Sequence, residues 1–352
     1  MTSTTEPNTL AEPGSVSEPR GRRLPPTPLI VALIALAALP IVTEPIQLRR
    51  YASLIVLSLG VLGVVVATGY TGLISLGHGV FVGLGAFSMA TFVDNWSLPF
   101  LVSLPMSFVF TASVGWILGL PALRIKGIYL ALVTLGVGII FPALAKQFPA
   151  YTGGVSGRAV DAAFNPPAWT GLDPEADAVL WRYGFCLLVC GLMFWMTASV
   201  VNGRMGRAMQ AVRDDETSAA SFGINLHRVK AGAFGLSAGL AGVGGALQVI
   251  LFPFVSHEQF TVFLSFRLYA AALLGGVATM VGAVYGVVAL VLIPAVNDAL
   301  QLLENDVLVF GIGLIILTFV SPDGIAGLVA RARVRGTGSR WWRNVRERYT
   351  GS

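Results

Sequence analysis

The sequence predicts an all-α integral membrane protein with about ten transmembrane helices, arranged as two inverted five-helix halves with both termini cytoplasmic. Three observations predict it. The 352 residues are 55% hydrophobic and 12% charged, with a mean hydropathy of +0.76, whereas a soluble domain carries about 25% charged residues. The apolar residues fall in runs approaching the ~20 residues that cross a hydrocarbon layer. The basic residues gather in alternate connecting segments, as membrane topology requires.

Residues 1–27 are polar and contain five prolines, Pro7, Pro13, Pro19, Pro25 and Pro26. They hold too little apolar surface to fold and are expected to form a disordered cytoplasmic tail. Arg22 and Arg23 precede the first apolar run, but no small-residue cleavage site follows, so an uncleaved first helix is expected rather than an export signal. Apolar segments lie at 28–42, 51–68, 73–93, 99–120, 127–145, 183–201, 231–252, 265–280, 283–296 and 307–320. The transmembrane domain is therefore expected over 28–330, followed by a basic cytoplasmic tail at 331–352. The first, eighth and ninth runs are short, which predicts tilted, broken or re-entrant segments.

With the N-terminus inside, 17 of the 23 Lys and Arg residues fall in cytoplasmic segments: the N-terminal tail, Arg124 with Lys126, Arg204 to Lys230, and Arg331 to Arg348. Only 5 fall outside (Arg49, Arg50, Lys146, Arg158 and Arg182), and Arg267 opens a span. That bias sets the orientation and places the chain in the inner (plasma) membrane as a multi-pass protein. It also accounts for the +5 formal charge without nucleic acid. Cys186 and Cys190 share one face of an apolar helix, with no further Cys or nearby His to complete a metal site, so they are expected to be buried free thiols.

Five spans per half force the halves to run in opposite directions, the inverted-repeat pattern of transporters. The third span of each half is interrupted by glycine: Gly72, Gly77, Gly79, Gly83 and Gly85 in the first, Gly275, Gly276, Gly282 and Gly286 in the second. Glycine costs a helix about 1 kcal/mol, so such clusters indicate either close helix packing or a backbone opened toward a solute. Ser75, Gly77, His78, Gly79, Thr134, Gly136, Arg267, Gly275, Gly276 and Thr279 are the candidate lining of that path. His78 is an ionisable group in a membrane segment, which points to function; a neutral imidazole bonded to a neighbouring helix is nonetheless the favoured reading. Ser75 lies three residues from His78, on one helix face, but no acid orients the base and the nucleophile-elbow spacing is absent, so no enzyme is expected.

Between the sixth and seventh spans, the 202–230 loop is too organised for a linker. Asp214, Asp215 and Glu216 suit the positive end of a short helix, and Gly223 suits its stop. Arg213, Asp214, Asp215, Glu216, Ala219, Ala220 and Gly223 thus form a candidate docking helix. One or two turns are too short to be stable alone in water, so the helix needs a surface.

At these residues the chain resembles the permeases of branched-chain amino-acid ABC importers, of the LivM type. The resemblance runs from about 50 to 328 and is carried by Gly69 to His78, Leu123 to Ala131, Tyr151 to Gly154, Arg207 to Glu216, Glu216 to Gly223, and Leu274 to Gly276, in that order. It implies a permease subunit that imports branched-chain amino acids or a similar small polar solute. It also implies a second, LivH-like permease, two ATPase subunits that receive the docking helix, and an external solute-binding protein. The chain has no G-x-x-x-x-G-K-[ST] loop, so ATP is expected to bind partner subunits and no cofactor this one. Two positions where the family often has an acid carry Ile139 and Arg267 here, and Arg158 stands where it often has leucine. Arg267 therefore either favours an anionic solute or reaches for the interface. Urea, short-amide and organic-acid permeases share these motifs. An ion-driven secondary transporter is the other reading, but it calls for mid-membrane charge that the spans nearly lack.

Overall fold

The computed structural model describes residues 45–120, 127–160, 164–167, 170, 171, 173, 176–300, 311, 312, 315 and 324–328. The expected first span, nearly all of the tenth, both tails, and Arg124 with Lys126 lie outside the described residues. Helix α1, Pro45–Val64, continues without a gap as a π-helix over Val65–Tyr70. There follow α2 (His78–Asp94), α3 (Phe100–Gly119), α4 (Ile128–Gln147), the single turn α5 (Pro149–Thr152) and α6 (Ala178–Asn202). The loop between α6 and the next long helix holds α7 (Arg204–Asp214) and α8 (Glu216–Ser221). The chain closes with α9 (Leu226–Leu251), a 3-10 turn at His257–Phe260, α10 (Val262–Gly275) and α11 (Met280–Leu300).

Among the described residues, five helices are long and apolar enough to cross a membrane: α1 with its π-helical extension, α3, α4, α6 and α9. The α10 and α11 helices bend by 115° at their junction, so the expected eighth and ninth spans form a broken or re-entrant pair. The expected third span is corrected more sharply. It does not start at residue 73: residues 72–77 are non-helical, and α2 begins only at His78. Ser75 and His78 therefore do not share a helix face. At 17 residues, α2 spans about 25 Å, less than the hydrocarbon thickness.

Helices α9 and α1 are buried along nearly their whole length, whereas α3, α4 and α6 turn large apolar side chains outward. Leu101, Val109 and Trp116 of α3, Ile139 and Ile140 of α4, and Leu188 and Trp195 of α6 are all exposed. In water this would be an aggregation surface, and in a bilayer it is solvated. Cys186 and Cys190 are buried free thiols that pack α6 onto α1, where the Cys190 thiol lies 3.5 Å from the Ile55 carbonyl.

The centre is held by backbone contact. A Cβ on Gly85 of α2 would lie 1.9 Å from the Gly242 carbonyl oxygen of α9, and one on Gly245 of α9 would lie 1.8 Å from that of Val82. With lipid on the outside there is no hydrophobic drive between helices, so packing at this distance supplies the cohesion. At one end of the bundle, Arg158–Ala159 pairs antiparallel with Phe254–Val255, and Arg158 is salt-bridged to Asp94 at 3.0 Å. That ties the loops following α2, α4 and α9 together.

Gly85→Leu is expected to abolish the folded protein, since overpacking a core ordinarily costs about 1–3 kcal/mol and here the obstacle is backbone. Gly136→Ala, which meets nothing within 4 Å, should leave the melting temperature unchanged or slightly raised. Size-exclusion profiles and thermal unfolding in detergent distinguish the two.

Candidate functional site

The non-helical stretch 72–77 is the first element of the site. A backbone without helical bonds is tolerated at membrane depth only if its polar groups find partners within the protein. Here they do. The Gly72 and Leu73 amides donate to the carbonyls of Thr68 and Ala67 at 3.1 and 2.9 Å, and the Thr68 hydroxyl donates to the Leu73 carbonyl at 3.1 Å. The Leu76 amide donates 3.0 Å to the Thr134 hydroxyl of α4, and the Gly79 amide 2.9 Å to the Ser265 hydroxyl of α10. Ser75, Gly77, His78, Gly79 and Thr134 are thus brought together, clamped between α4, α9 and α10.

His78 is fully buried at the head of α2. Its Nε2 lies 2.5 Å from the Ser237 hydroxyl of α9, and its ring meets Phe81 and Phe234 at centroid distances of 5.8 and 6.3 Å. The imidazole joins α2 to α9 and faces no open space. Which ring nitrogen carries the proton follows from the hydroxyl's orientation.

A second break, Gly276–Thr279, separates α10 from α11. Gly276 has φ +107° and a Cβ on Gly275 would lie 1.8 Å from the Gly282 carbonyl oxygen, so these glycines close a tight bend rather than line a passage. The Thr279 hydroxyl accepts from the Gly282 amide at 3.2 Å, satisfying the start of α11. The second break packs on the π-helical turn that precedes the first: a Cβ on Gly69 would lie 1.9 Å from the Val277 carbonyl oxygen. Gly136 stands apart on α4, with open space beside it.

The 202–230 segment fastens to this junction. The Arg213 guanidinium donates 2.7 Å to the Gly69 carbonyl, and its side chain lies against Gly72. Arg213 and Asp214 belong to the end of α7, not to the short docking helix, which starts after Asp215. The Asp215 carboxylate caps that helix by accepting from the Ser218 amide at 2.6 Å. Gly223, at φ +79°, ends it in the left-handed conformation that side-chain-bearing residues avoid. Glu216 accepts 2.7 Å from Lys230, a lysine buried at the start of α9. Ala219 is buried, Ala220 is exposed, and Phe222 is 87% exposed at the tip.

Arg267 lies elsewhere. It lines a cavity of about 650 Å³ between α1, α9 and α10, together with Arg50, Ser53, Gln248 and Gln259. Sequence reasoning missed Ser237, Ser265, Lys230, Phe222 and Arg50. The serines carry no signal inside apolar runs, and Lys230 and Arg50 served only as topology markers. A single aromatic beside the acidic helix, Phe222, was the one legible cue.

Residues 48–318 match the family described as branched-chain amino acid transport system / permease component. The chain is 32% identical over 284 residues to the high-affinity branched-chain amino acid transport system permease protein LivM of Escherichia coli K12, an alignment covering 75% of this chain and 66% of LivM. It is 26% identical over 296 residues to LivH of the same strain, covering 77% of this chain and 92% of LivH. With BraD of Pseudomonas aeruginosa PAO1 it shares 30% identity over 137 residues, 39% of this chain and 44% of BraD. The chain thus spans just under two thirds of the length of the LivM relatives. No solved structure matches it.

Removing one partner of a buried ion pair strands the other charge, at a cost of about 3–5 kcal/mol. Glu216→Gln should therefore destabilise the protein by an amount near the lower figure, because Glu216 is partly exposed. The double change Glu216→Gln with Lys230→Met should recover most of it. Thermal unfolding of the three variants measures the difference.

Proposed function

The chain belongs to the family of branched-chain amino acid transport system permease components, and on that premise we propose that it is the transmembrane permease subunit of an ABC importer. Its cargo is a branched-chain amino acid or a similarly small polar solute, carried into the cytoplasm across the inner membrane. The observation that carries this reading is the contact between Arg213 and the Gly69 carbonyl. It joins the end of α7, which leads through Asp215 into the short acidic helix α8, to the π-helical turn that precedes the first break and packs on the second. A partner that grips α8 and moves it would act on those breaks through one side chain, whereas an ion-driven carrier has no use for such a lever.

Alternation of the helices supports the orientation read from the charges. The Arg158–Asp94 end and the Arg213–Gly69 end are opposite ends of α1, α2 and α9. The basic 204–230 segment then marks the cytoplasmic side. Ten spans remain our reading of the full chain. Similarity to both LivM and LivH supports a pair of related permeases, with two ATPase subunits and an external binding protein completing the importer. ATP binding to the partners would close them, displace α8 and switch the pathway between outward and inward access.

In vesicles holding this chain with its partner permease, ATPases and binding protein, uptake of labelled solute should require internal ATP. Uptake driven by an ion gradient without ATP would overturn the importer reading. Phe222 is the natural anchor of the ATPase, as an exposed aromatic at the tip of the docking helix. Phe222→Asp should leave stability within about 0.5 kcal/mol, as at other surface sites, while uptake drops about tenfold or more and ATP hydrolysis persists. Normal uptake in that variant would place the docking surface elsewhere.

A further inference from the structure

Two exposed arginines line one cavity, and among the described lining residues there is no acid to balance them. Arg50 on α1 and Arg267 on α10 line the space of about 650 Å³, with the hydroxyl of Ser53 and the side-chain amides of Gln248 and Gln259. No Asp or Glu is among the described lining residues; Glu258, beside Gln259 in sequence, is exposed and not among them. Among the described residues, the ion pairs join Arg158 to Asp94, Arg213 to Asp214 and Lys230 to Glu216. Neither Arg50 nor Arg267 takes part in one.

Two positively charged side chains lining one cavity repel each other unless something negative enters. Apolar walls lower the local dielectric and so strengthen the field at the mouth. A guanidinium matches a carboxylate through two parallel hydrogen bonds, and the glutamine amides can donate to the same oxygens. Leu57 and Leu290, which also line the cavity, accommodate a short hydrocarbon body. An ammonium group finds only neutral oxygens there, from Ser53 and the glutamines, beside two positive charges.

We infer that this cavity binds the carboxylate of a small organic anion, and that it prefers a carboxylic acid lacking a charged amine over the amino acid of the same skeleton. The inference rests on the permease reading and names its substrate class. On the orientation proposed above, the cavity lies toward the external end of α1 and α9, where solute arrives.

The test uses the purified full-length chain in nanodiscs and radiolabelled isocaproate, which is leucine without its amino group. Isocaproate should bind about tenfold or more tightly than leucine, the order expected for losing or opposing one charged hydrogen bond. Isoamylamine, which keeps the amine and lacks the carboxylate, should not bind. Arg50→Gln and Arg267→Gln should each weaken isocaproate binding about tenfold or more while leaving the melting temperature of the unliganded protein unchanged or slightly raised, because one of two like charges is removed. Equal affinity for leucine and isocaproate, or binding indifferent to both substitutions, would overturn the assignment. In vesicles with the assembled importer, ATP-dependent uptake that ignores both substitutions defeats the cavity and leaves the permease reading intact. Loss of the ATP requirement defeats the permease reading, whatever the isolated chain binds.

Discussion

Helix α9 occupies the middle of the bundle because two neighbours, α1 and α2, reach its backbone directly, and the positions of both breaks and of the cavity follow from that contact. Gly85 against Gly242, Gly245 against Val82, and Gly63 against the Ser237 carbonyl leave no room for a Cβ. Such approaches increase dispersion contact and shorten the distance between helix axes, which is how helices cohere when lipid is as apolar as they are. Once α9 is seated, Ser237 is held where His78 can bond it, and the head of α2 is pinned inside the bundle. The chain between α1 and α2 must then travel as an unwound segment. Its amides need partners on α4 and α10, and Thr134 and Ser265 supply them.

The six long runs between 45 and 252 were legible because length and hydropathy alone mark a helix in lipid, and each expected run has a helix at its place. The start of α2 was not. Residues 73–77 are as apolar as the helix that follows, and hydropathy does not register whether a backbone is wound. The cue was there in Gly72 and Gly77, but glycine clusters serve packing and unwinding alike. Here they serve both: Gly85 packs against α9, while Gly77 leaves space for the Thr134 carbonyl, 2.7 Å from where its Cβ would stand.

The docking segment was legible as a motif and not as a mechanism. Asp215 as cap and Gly223 as stop follow from local chemistry that acts within a few residues. The role of Arg213 does not, because its partner, Gly69, is distant in sequence and offers only a carbonyl. Glu216 read as a dipole-compensating acid, yet its carboxylate is also the counter-ion of Lys230, fourteen residues on. A buried lysine at the head of a membrane helix looks, in sequence, the same as one that marks the cytoplasmic side.

These contacts together bear on how a movement at the surface could reach the interior. Interfaces packed at backbone distance do not deform gradually; they hold or they shift as units. The α1–α9–α2 core is packed in that way. Between Gly72 and Gly77 the segment lacks the helical bond ladder: besides two local backbone bonds and the close approaches of Gly69 and Gly77, it is held by hydrogen bonds to side-chain hydroxyls and by Arg213, which exchange more readily because a net neutral bond is worth about 1 kcal/mol. A force applied at α8 would therefore meet a rigid core and a compliant hinge, and the hinge lies where the unwound stretch meets the α10–α11 bend. Motion confined there would alter the positions of α10 and of Arg267 on it, while α9 stayed in place. The cavity, with one arginine on rigid α1 and the other on α10, is then the feature whose shape depends most directly on that hinge.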